Sequence, residues 1–461
     1  MLSIVRYLLF KRGSPILDCL DVVNSVLLYK PAQCLALIVS LSGCLSSPTT
    51  LDQTGLVELI PDVSIETTVQ VPQDARASLP EAGNLWTIAR QAEQQAIEDS
   101  SAGFDILAAQ SDAAAIRTGR LPKISPVASI DGDGDTSLGV SLNQTIWDFG
   151  SSRAQIKRAE VDVVIAEVDQ WIEINEAIFE ALDVYLTYQR SLERLDNYSA
   201  LQANVNDLAE TVSRRFDGGV AGRSENLEVS IILQELARDI LDERSEQAAA
   251  LIRFRSLIGE ASATPGHHSS VSMLDECTPQ ATTPEPPEVL RARFLVQRSL
   301  DDLDVLKSRR LPVLIGNIDA RESNGGIETS AGLSIDASQL LGWDRAARLE
   351  AGEQRVQAAQ QEHQNVSEAV RLDIQQLQDE YTRQQASLVE IDRLLVSARE
   401  SENFFEDLFN SGRSSLDDGL QLKREVSILE RSRSDRRIEL VRTCLRIGRI
   451  QGTLILGEQT Q

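Results

Sequence analysis

The feature that most constrains this chain is a helical tract without a helix breaker. After Asp148-Phe149-Gly150, neither proline nor glycine occurs until Gly218. Apolar residues in the tract recur at heptad-like spacing, and many of them are alanine, which lets helices pack closely. One continuous α-helix of roughly 65 residues would reach about 100 Å. Because no globular core of ordinary size is that deep, the tract predicts a protein built from long helices packed side by side.

The same plan occurs twice along the chain. Three pairs of landmarks keep their order at similar offsets: Arg120-Leu121-Pro122 with Arg310-Leu311-Pro312, Trp147-Asp148 with Trp343-Asp344, and Phe216 to Gly219 with Phe409 to Gly412. Such self-similarity is typical of a duplicated unit. We therefore predict helix, hairpin, long helix, break and helix in residues 85–259, and again in residues 288–450. The breaks are assigned to Gly219 and Gly412.

Each half contains a pattern of alternating residues that predicts a β-hairpin. Apolar residues alternate with small or polar ones over residues 138–142, and again over residues 331–337. A period of two is expected of a strand with unlike faces. We predict hairpins at about 124–147 and about 312–340. The aromatic residues that we assign to a membrane–water interface are Trp147, Phe149 and Trp343.

Composition excludes several classes of function. The formal net charge is -25, and an acidic surface repels phosphate backbones, so we expect no nucleic-acid partner. The three histidines and the lack of phosphate-loop, nucleophile-elbow or zinc motifs lead us to expect no enzyme activity, no cofactor and no metal. No run of 18 apolar residues predicts a transmembrane helix, so any membrane insertion must use β-strands.

Residues 1–43 predict a secretory leader. The apolar stretch 34–41 follows Lys30 and precedes small residues, as in a cleavable signal. The sequence at 41–44, LSGC, resembles the lipobox of bacterial lipoproteins, in which the cysteine becomes the lipidated first residue. We expect lipidation at Cys44, the alternative being a plain signal peptide with a cysteine near its cleavage site. Whether translation begins at Met1 stays open.

Proline-rich segments separate the predicted units. Residues 44–84 are predicted to form an extended tether, residues 260–287 a linker, and residues 451–461 a tail. Two cysteines, Cys277 and Cys444, remain beyond the leader and Cys44. They either pair in an oxidising periplasm or stay as free thiols, and the sequence leaves both alternatives open.

Four strands in one chain imply an oligomer. Open sheet edges are not tolerated in lipid, so two hairpins cannot stand alone in a membrane. A trimer would supply twelve strands, which lies within the usual range for barrels. The predicted fold class is mainly α with membrane β. Long, internally duplicated antiparallel helices form an α-barrel, and two β-hairpins per chain contribute to a trimeric 12-stranded β-barrel.

At several positions the chain resembles the TolC-type outer-membrane efflux protein family. Residues 138–153 resemble that family's second strand and helix-opening turn, and residues 333–344 resemble a weaker second copy. Residues 215–228 resemble its first periplasmic helix–helix transition, and residues 409–420 resemble the second. The resemblance covers about residues 85–455.

The resemblance implies a homotrimeric channel in the bacterial outer membrane that extends into the periplasm. Its implied partners are a periplasmic adaptor (membrane fusion) protein, an inner-membrane pump or ABC exporter, and outer-membrane lipid. Tripartite drug or metal efflux and type I protein secretion both fit, so the cargo stays open. The competing hypothesis is a lipid-anchored periplasmic coiled-coil scaffold or adaptor without a pore, which has no need of the hairpins.

The resemblance also implies a periplasmic gate beside the two breaks. Asp418 aligns with one acidic pore residue of the family. Gln421 occupies the family's next acidic position, and Asp417 is a candidate substitute for the missing acid. Glu225 aligns with an acidic residue that holds the first transition, and Arg413 is its expected partner. Three copies of one carboxylate on a symmetry axis form a ring that attracts cations. The alternative is that these carboxylates are solvated charges at a helix start, where the helix dipole favours them.

Overall fold

The structure, a computed structural model, describes residues 79, 83–130, 136–219, 222–259, 266–277, 279, 285–323, 326–337, 345–410 and 413–455. The elements in these ranges are α1 (Asn84–Asp99), α2 (Ala102–Thr118), β1 (Lys123–Ile130), β2 (Thr136–Trp147), α3 (Ser151–Asp217), α4 (Arg223–Ile258), α5 (Ser270–Asp275), α6 (Pro287–Ser308), β3 (Val313–Ser323), β4 (Gly326–Asp336), α7 (Arg345–Asn410) and α8 (Leu416–Gln451). The predicted leader and the predicted residues Cys44, Trp343 and Gly412 lie outside the described residues.

The helices repeat in length between the two halves. α3 has 67 residues and α7 has 66, while α4 and α8 have 36 each. The internal landmarks of the sequence predicted this duplication, because each long helix ends at a break that is followed by a second helix. Among the helices of the described ranges, none combines the length and the apolar character needed to cross a membrane.

The four strands form one antiparallel meander in the order β1–β2–β3–β4. Because the direction alternates from strand to strand, all four helix-connected ends lie at one end of the sheet. The pairs Ile130–Thr136 and Ser323–Gly326 mark the opposite end. The helix-connected end is marked by the pairs Lys123–Asn143, Trp147–Leu314 and Val313–Asp336.

The helices pack in the same lateral order as the strands. Beside the sheet the neighbours run α2–α3–α6–α7, and farther along the long helices they run α4–α3–α8–α7. Elements of the first repeat, namely β1, α2 and α4, therefore occupy one lateral edge at every level. Elements of the second repeat, β4 and α7, occupy the other. This shared order determines which surfaces a single chain leaves uncovered.

The repeat plan predicts one helix before the first hairpin, from about residue 85, whereas the structure has two. The structure divides this stretch into α1 and α2. Ser100 is extended, with φ -70° and ψ 132°, and its hydroxyl accepts a hydrogen bond of 3.0 Å from the Ala102 amide. Serine competes with the helical backbone in this way, and the nearby Gly103 lies inside α2 rather than at the division between the helices.

The larger apolar cluster lies where α1, α3, α4, α5 and α8 meet. Tyr185 of α3 is fully buried there and its ring lies 5.8 Å from that of Phe254 of α4. The disulfide Cys277–Cys444 joins the α5 segment to α8 across the same cluster, with a Cα–Cα distance of 6.2 Å. Of the two alternatives that the sequence left open, the structure therefore has the bonded pair.

Candidate functional site at the two helix breaks

At each break, a long helix ends in a turn that a backbone hydrogen bond closes. At the first break, Gly219 adopts φ +73°, a left-handed conformation that favours glycine. Its amide donates to the Phe216 carbonyl at 2.9 Å. At the second break, the Arg413 amide donates to the Leu408 carbonyl at 2.9 Å. The two turns therefore bring the starts of α4 and α8 to the same end of the helical layer.

The two breaks contact each other through an arginine. The guanidinium of Arg215, from the first break, donates a 2.6 Å hydrogen bond to the carbonyl of Phe409 in the second. The same guanidinium lies 4.1 Å from the centroid of the Phe409 ring. Phe409 is 5% exposed, whereas its repeat equivalent Phe216 is 42% exposed. The repeats are thus equivalent in sequence but not in packing, because one phenylalanine is buried under the arginine and the other faces outward.

The start of α8 packs against α7 with no space for a side chain. A Cβ atom added at Gly419 would lie 2.3 Å from two atoms of the Phe405 ring. That ring stacks on Phe409 with centroids 5.5 Å apart. One turn farther along α8, Lys423 is 9% exposed and forms ion pairs with Glu402 at 3.1 Å and Glu406 at 3.0 Å. Burial by itself would lower the pKa of Lys423, but the hydrogen bonds and charges of the two carboxylates outweigh it and raise that pKa.

The predicted acidic residues of α8 lie in its first turns and are exposed. The Asp418 amide donates to the Ser415 hydroxyl at 3.2 Å, and that hydroxyl donates to the Asp418 carboxylate at 2.6 Å. Asp418 thus helps to cap α8. Gln421 donates to Asp417 at 3.2 Å, so the residue that departs from the family pattern is paired with its candidate substitute.

The structure does not bring Glu225 and Arg413 together. Glu225 is half-buried in the first turn of α4, and Arg413 is exposed. Among the described residues, the ion pairs include none between them. Glu225 and Asp418 are instead related by the repeat, at the same offset of 193 residues as Phe216 and Phe409.

Glu228 is a residue of this site that the sequence reasoning missed. Partial burial raises its pKa, and a hydrogen bond and the charge of Asp417 raise it further, followed by the charge of Glu225. Arg424 acts in the opposite direction, and it also pairs with Glu235 of α4 at 2.5 Å. α4 and α8 therefore meet through a carboxyl–carboxylate contact. The only signal for it in the sequence is the accumulation of acids in the first turns after both breaks.

At the other end of α3, the predicted interface aromatics flank a helix-opening turn. The rings of Trp147 and Phe149 meet edge to face at 6.0 Å, and the two residues are 60% and 48% exposed. Asp148 caps α3 by accepting from the Ser152 amide at 2.7 Å. Burial would raise the pKa of Asp148, but the hydrogen bonds from Ser152 and Gly150 and the charge of Arg120 hold it below its usual value.

The family model described as outer membrane efflux protein matches residues 73–260. This match spans α1 to α4, including the first hairpin and the first break. Over these residues the chain is similar to the outer membrane efflux protein family. The resemblance to the TolC-type family predicted from the sequence is therefore confirmed. No curated protein matches the chain.

Solved structures show the same fold over most of the chain. CusC, whose structures concern folding and transmembrane channel formation, is 12% identical with a TM-score of 0.71, covering 79% of this chain and 92% of its own. The outer-membrane channel OprN is 18% identical with a TM-score of 0.68, covering 82% and 94%. The outer membrane protein VceC from Vibrio cholerae is 12% identical with a TM-score of 0.70, covering 80% and 98%. The predicted fold class, long helices with a four-stranded sheet as in TolC-type channels, is confirmed.

Proposed function

We propose that this chain is one of three identical subunits of an outer-membrane efflux channel that works within a tripartite efflux or type I secretion system. The observation that supports this proposal best is the shared lateral order of strands and helices. In that order the two lateral edges of one chain belong to different repeats. Association of unlike edges would be head to tail, and a rotation of one third of a turn between copies would close three of them into a ring.

The two outer strands of the sheet, β1 and β4, support association between copies. β1 and β4 each pair on one side within the described sheet. An unpaired strand edge in lipid leaves backbone groups without hydrogen-bond partners. Because β1 and β4 run in opposite directions, β4 of one copy can pair antiparallel with β1 of the next. Three copies would close a barrel of about twelve strands, which lies in the range of outer-membrane barrels.

The helices at the two lateral edges also support association between copies. Large exposed apolar side chains concentrate on α2, α4 and α7, which are the helices at the two lateral edges. Exposed apolar surface of this kind marks an interface with another chain. Neighbouring copies would bury it when α7 of one packs against α2 and α4 of the next. The most exposed of these side chains are Phe104, Leu107, Leu241, Ile252, Val396 and Phe404.

The periplasmic end would then hold the gate, with Asp418 and Asp417 as its acidic residues. The two breaks and the starts of α4 and α8 lie at the end of the long helices opposite the sheet, where an adaptor protein and an inner-membrane pump would meet the channel. Lipidation at Cys44 would anchor the chain at the membrane. The fixed contacts between Arg215 and Phe409 and between Lys423 and two carboxylates would hold the end closed.

Cross-linking between lateral edges tests the ring. The variant Ile124→Cys and Ile335→Cys places one thiol on β1 and one on β4, and a bifunctional thiol reagent is applied to membranes. We expect a covalent ladder that ends at three chains, together with ion conductance in planar bilayers. The variant with Ile124→Cys alone is the control and should stay a single chain, because its thiol faces a β4 edge that carries none. A ladder beyond three, or a monomer released by carbonate, would contradict the proposal and favour a scaffold without a pore.

The role of Asp418 is tested by Asp418→Ala. If three copies of this carboxylate narrow the pore, their removal should raise conductance and reduce cation preference. Ser415→Ala is the matched control, because it removes the capping partner of Asp418 at a cost of about 1 kcal/mol while retaining the carboxylate. Single-channel recordings of both variants separate pore charge from helix capping. Unchanged conductance and selectivity in Asp418→Ala would remove this residue from the gate.

The contact between Glu228 and Asp417 predicts that closure of the periplasmic end depends on pH. The pKa of Glu228 is raised above its ordinary value of 4.5 in the folded protein. Protonated Glu228 can donate to Asp417, so this link is fully present below the ordinary value and is lost as pH rises through the raised one. We expect lower conductance at pH 4.5 than at pH 7.5. Glu228→Gln should weaken that dependence and Glu210→Gln, an exposed control on α3, should keep it.

A further inference from the structure

The junction between the sheet and the helices carries a charge opposite to that of the chain. We define the junction band as residues 115–123, 148–158, 304–312 and 345–351. It contains eleven arginines and lysines and three carboxylates, whereas the chain has a formal net charge of -25. The basic residues are Arg117, Arg120, Lys123, Arg153, Lys157, Arg158, Lys307, Arg309, Arg310, Arg345 and Arg348.

The topology collects these residues at a single end of the sheet. The four segments of the junction band precede β1 and β3 or follow β2 and β4. Since the strands alternate in direction, these positions share the helix-connected end. The segment between β1 and β2, residues 131–135, has the reverse charge in sequence, with three aspartates and no basic residue. Charge is therefore distributed asymmetrically along the strand direction.

Several of these basic groups are available to bind an external anion. Arg120, Lys123, Arg153, Lys157 and Arg309 are exposed. Within the described ranges, none of these five side chains is in an ion pair. None of the five is held in a close ion pair of the kind that Arg117 forms with Glu160, at 2.7 Å.

Three of the band's basic residues surround one recess. Arg153, Lys157 and Lys307 line a cavity of about 360 Å³, whose wall also includes Phe149 and Leu311. The cavity's carboxylates are Asp301 and Asp304, and Asp304 is 3.9 Å from Lys307. Basic groups thus lie beside apolar ones, and the cavity is lined by three basic and two acidic residues.

Exposed apolar residues lie within the band and at its border with the sheet. Leu121 is 61% exposed, Trp147 60%, Phe149 48% and Leu311 44%. Exposed aromatic and leucine side chains beside basic ones match the acyl chains and phosphates that lie next to each other in a leaflet. A soluble anion would require the basic groups but not the adjacent apolar side chains.

We propose that the junction band binds the phosphate groups of anionic phospholipids in the periplasmic leaflet of the outer membrane. This inference rests on the proposed function, which inserts the sheet in that membrane with the helices on the periplasmic side. The lipid phosphate lies among Arg153, Lys157 and Lys307, and the acyl chains lie against Trp147, Phe149 and Leu311. The band thereby determines how deeply the sheet enters the bilayer.

The test measures lipid selectivity of the full-length protein. The protein is reconstituted in vesicles of phosphatidylcholine with 20% phosphatidylglycerol, on the order of a natural anionic content, then extracted in mild detergent, and the retained lipids are quantified by mass spectrometry. We expect several-fold enrichment of phosphatidylglycerol over its bulk share, reduced at high salt. The variant Arg153→Gln, Lys157→Gln and Lys307→Gln should lose most of that enrichment.

A matched control removes the same charge elsewhere. Arg223→Gln, Arg244→Gln and Arg383→Gln change three exposed arginines on α4 and α7, away from the sheet, and should retain the enrichment. Bulk lipid proportions in the wild type, or equal loss in both triple variants, would overturn the inference. Planar-bilayer conductance is recorded separately. A conducting channel without lipid selectivity contradicts this inference alone, and selectivity without conductance contradicts the proposed function alone.

Discussion

Replacing both Cys277 and Cys444 with alanine should destabilise the cluster around Tyr185 by about 2–5 kcal/mol, as expected for removal of a native disulfide. The bond closes a loop across a sequence separation of 167 residues, so its loss restores much conformational freedom to the unfolded chain. Both cysteines are 1% exposed, and each replacement also leaves unfilled space in the core. The effect should therefore exceed that of any single surface substitution.

The loss should spread from the α5 segment to α1. Glu276, next to Cys277, accepts from the Leu85 amide at 2.8 Å and from the Asn84 side chain at 3.2 Å. It therefore satisfies amides at the start of α1 that the helix itself leaves without partners. When Cys277 is no longer held against α8, this cap should loosen as well. The described segment thus connects α8 to α1 through two adjacent residues.

Hydrogen exchange of the detergent-extracted protein checks this prediction. Amides in α1 and in the α5 segment should exchange at least about tenfold faster in the double variant, since 1.4 kcal/mol corresponds to one factor of ten. Reductant should reproduce the effect in the wild type and add nothing in the double variant, which is the control for general damage. Unchanged exchange in α1 would show that the disulfide does not support the cap.

Gly419→Val should separate the start of α8 from α7. The added Cβ would lie 2.3 Å from the Phe405 ring, and that ring cannot retreat easily because it stacks on Phe409. Overpacking of this kind costs about 1–3 kcal/mol. Since the contact lies at the proposed closed end, we expect weaker closure, seen as a several-fold higher open probability in planar bilayers.

Two further variants identify the cause of that change. Gly218→Ala is the matched control at the first break, because the nearest atom to its added Cβ is 3.5 Å away and its φ is -78°. It should leave conductance unchanged. Phe405→Leu combined with Gly419→Ala should recover much of the closure by making room for the methyl group. If Gly419→Val conducts like the wild type, the packing of α8 on α7 does not control the end.

Repetitive patterns in the chain were sufficient to predict its elements. The absence of proline and glycine after Gly150 predicted α3, which ends at Asp217, because each helical residue is decided by bonds within four positions. Alternation predicted the strands, because each face of a sheet selects residues at a period of two. Gly219 predicted the first break, because φ +73° is costly for other residues.

Contacts between distant segments were not predictable in the same way. The cap of α1 by Glu276 and the contact of Arg215 with Phe409 join residues separated by 191 and 194 positions. The expected pair of Glu225 and Arg413 shows the difficulty, since opposite charges beside the two breaks are not enough to place them together. Glu228 instead meets another acid, Asp417, across the two repeats.

The long helical tract, the duplicated landmarks and the hairpin patterns by themselves determined a chain of long helices with four strands. These features depend on local backbone preferences, which each short stretch of sequence specifies. Only the tertiary structure decided the lateral order of the elements, the bonding of Cys277 with Cys444 and the unequal burial of Phe216 and Phe409. Those properties depend on which side chains meet across hundreds of residues, and packing geometry selects among many pairings that local sequence permits equally.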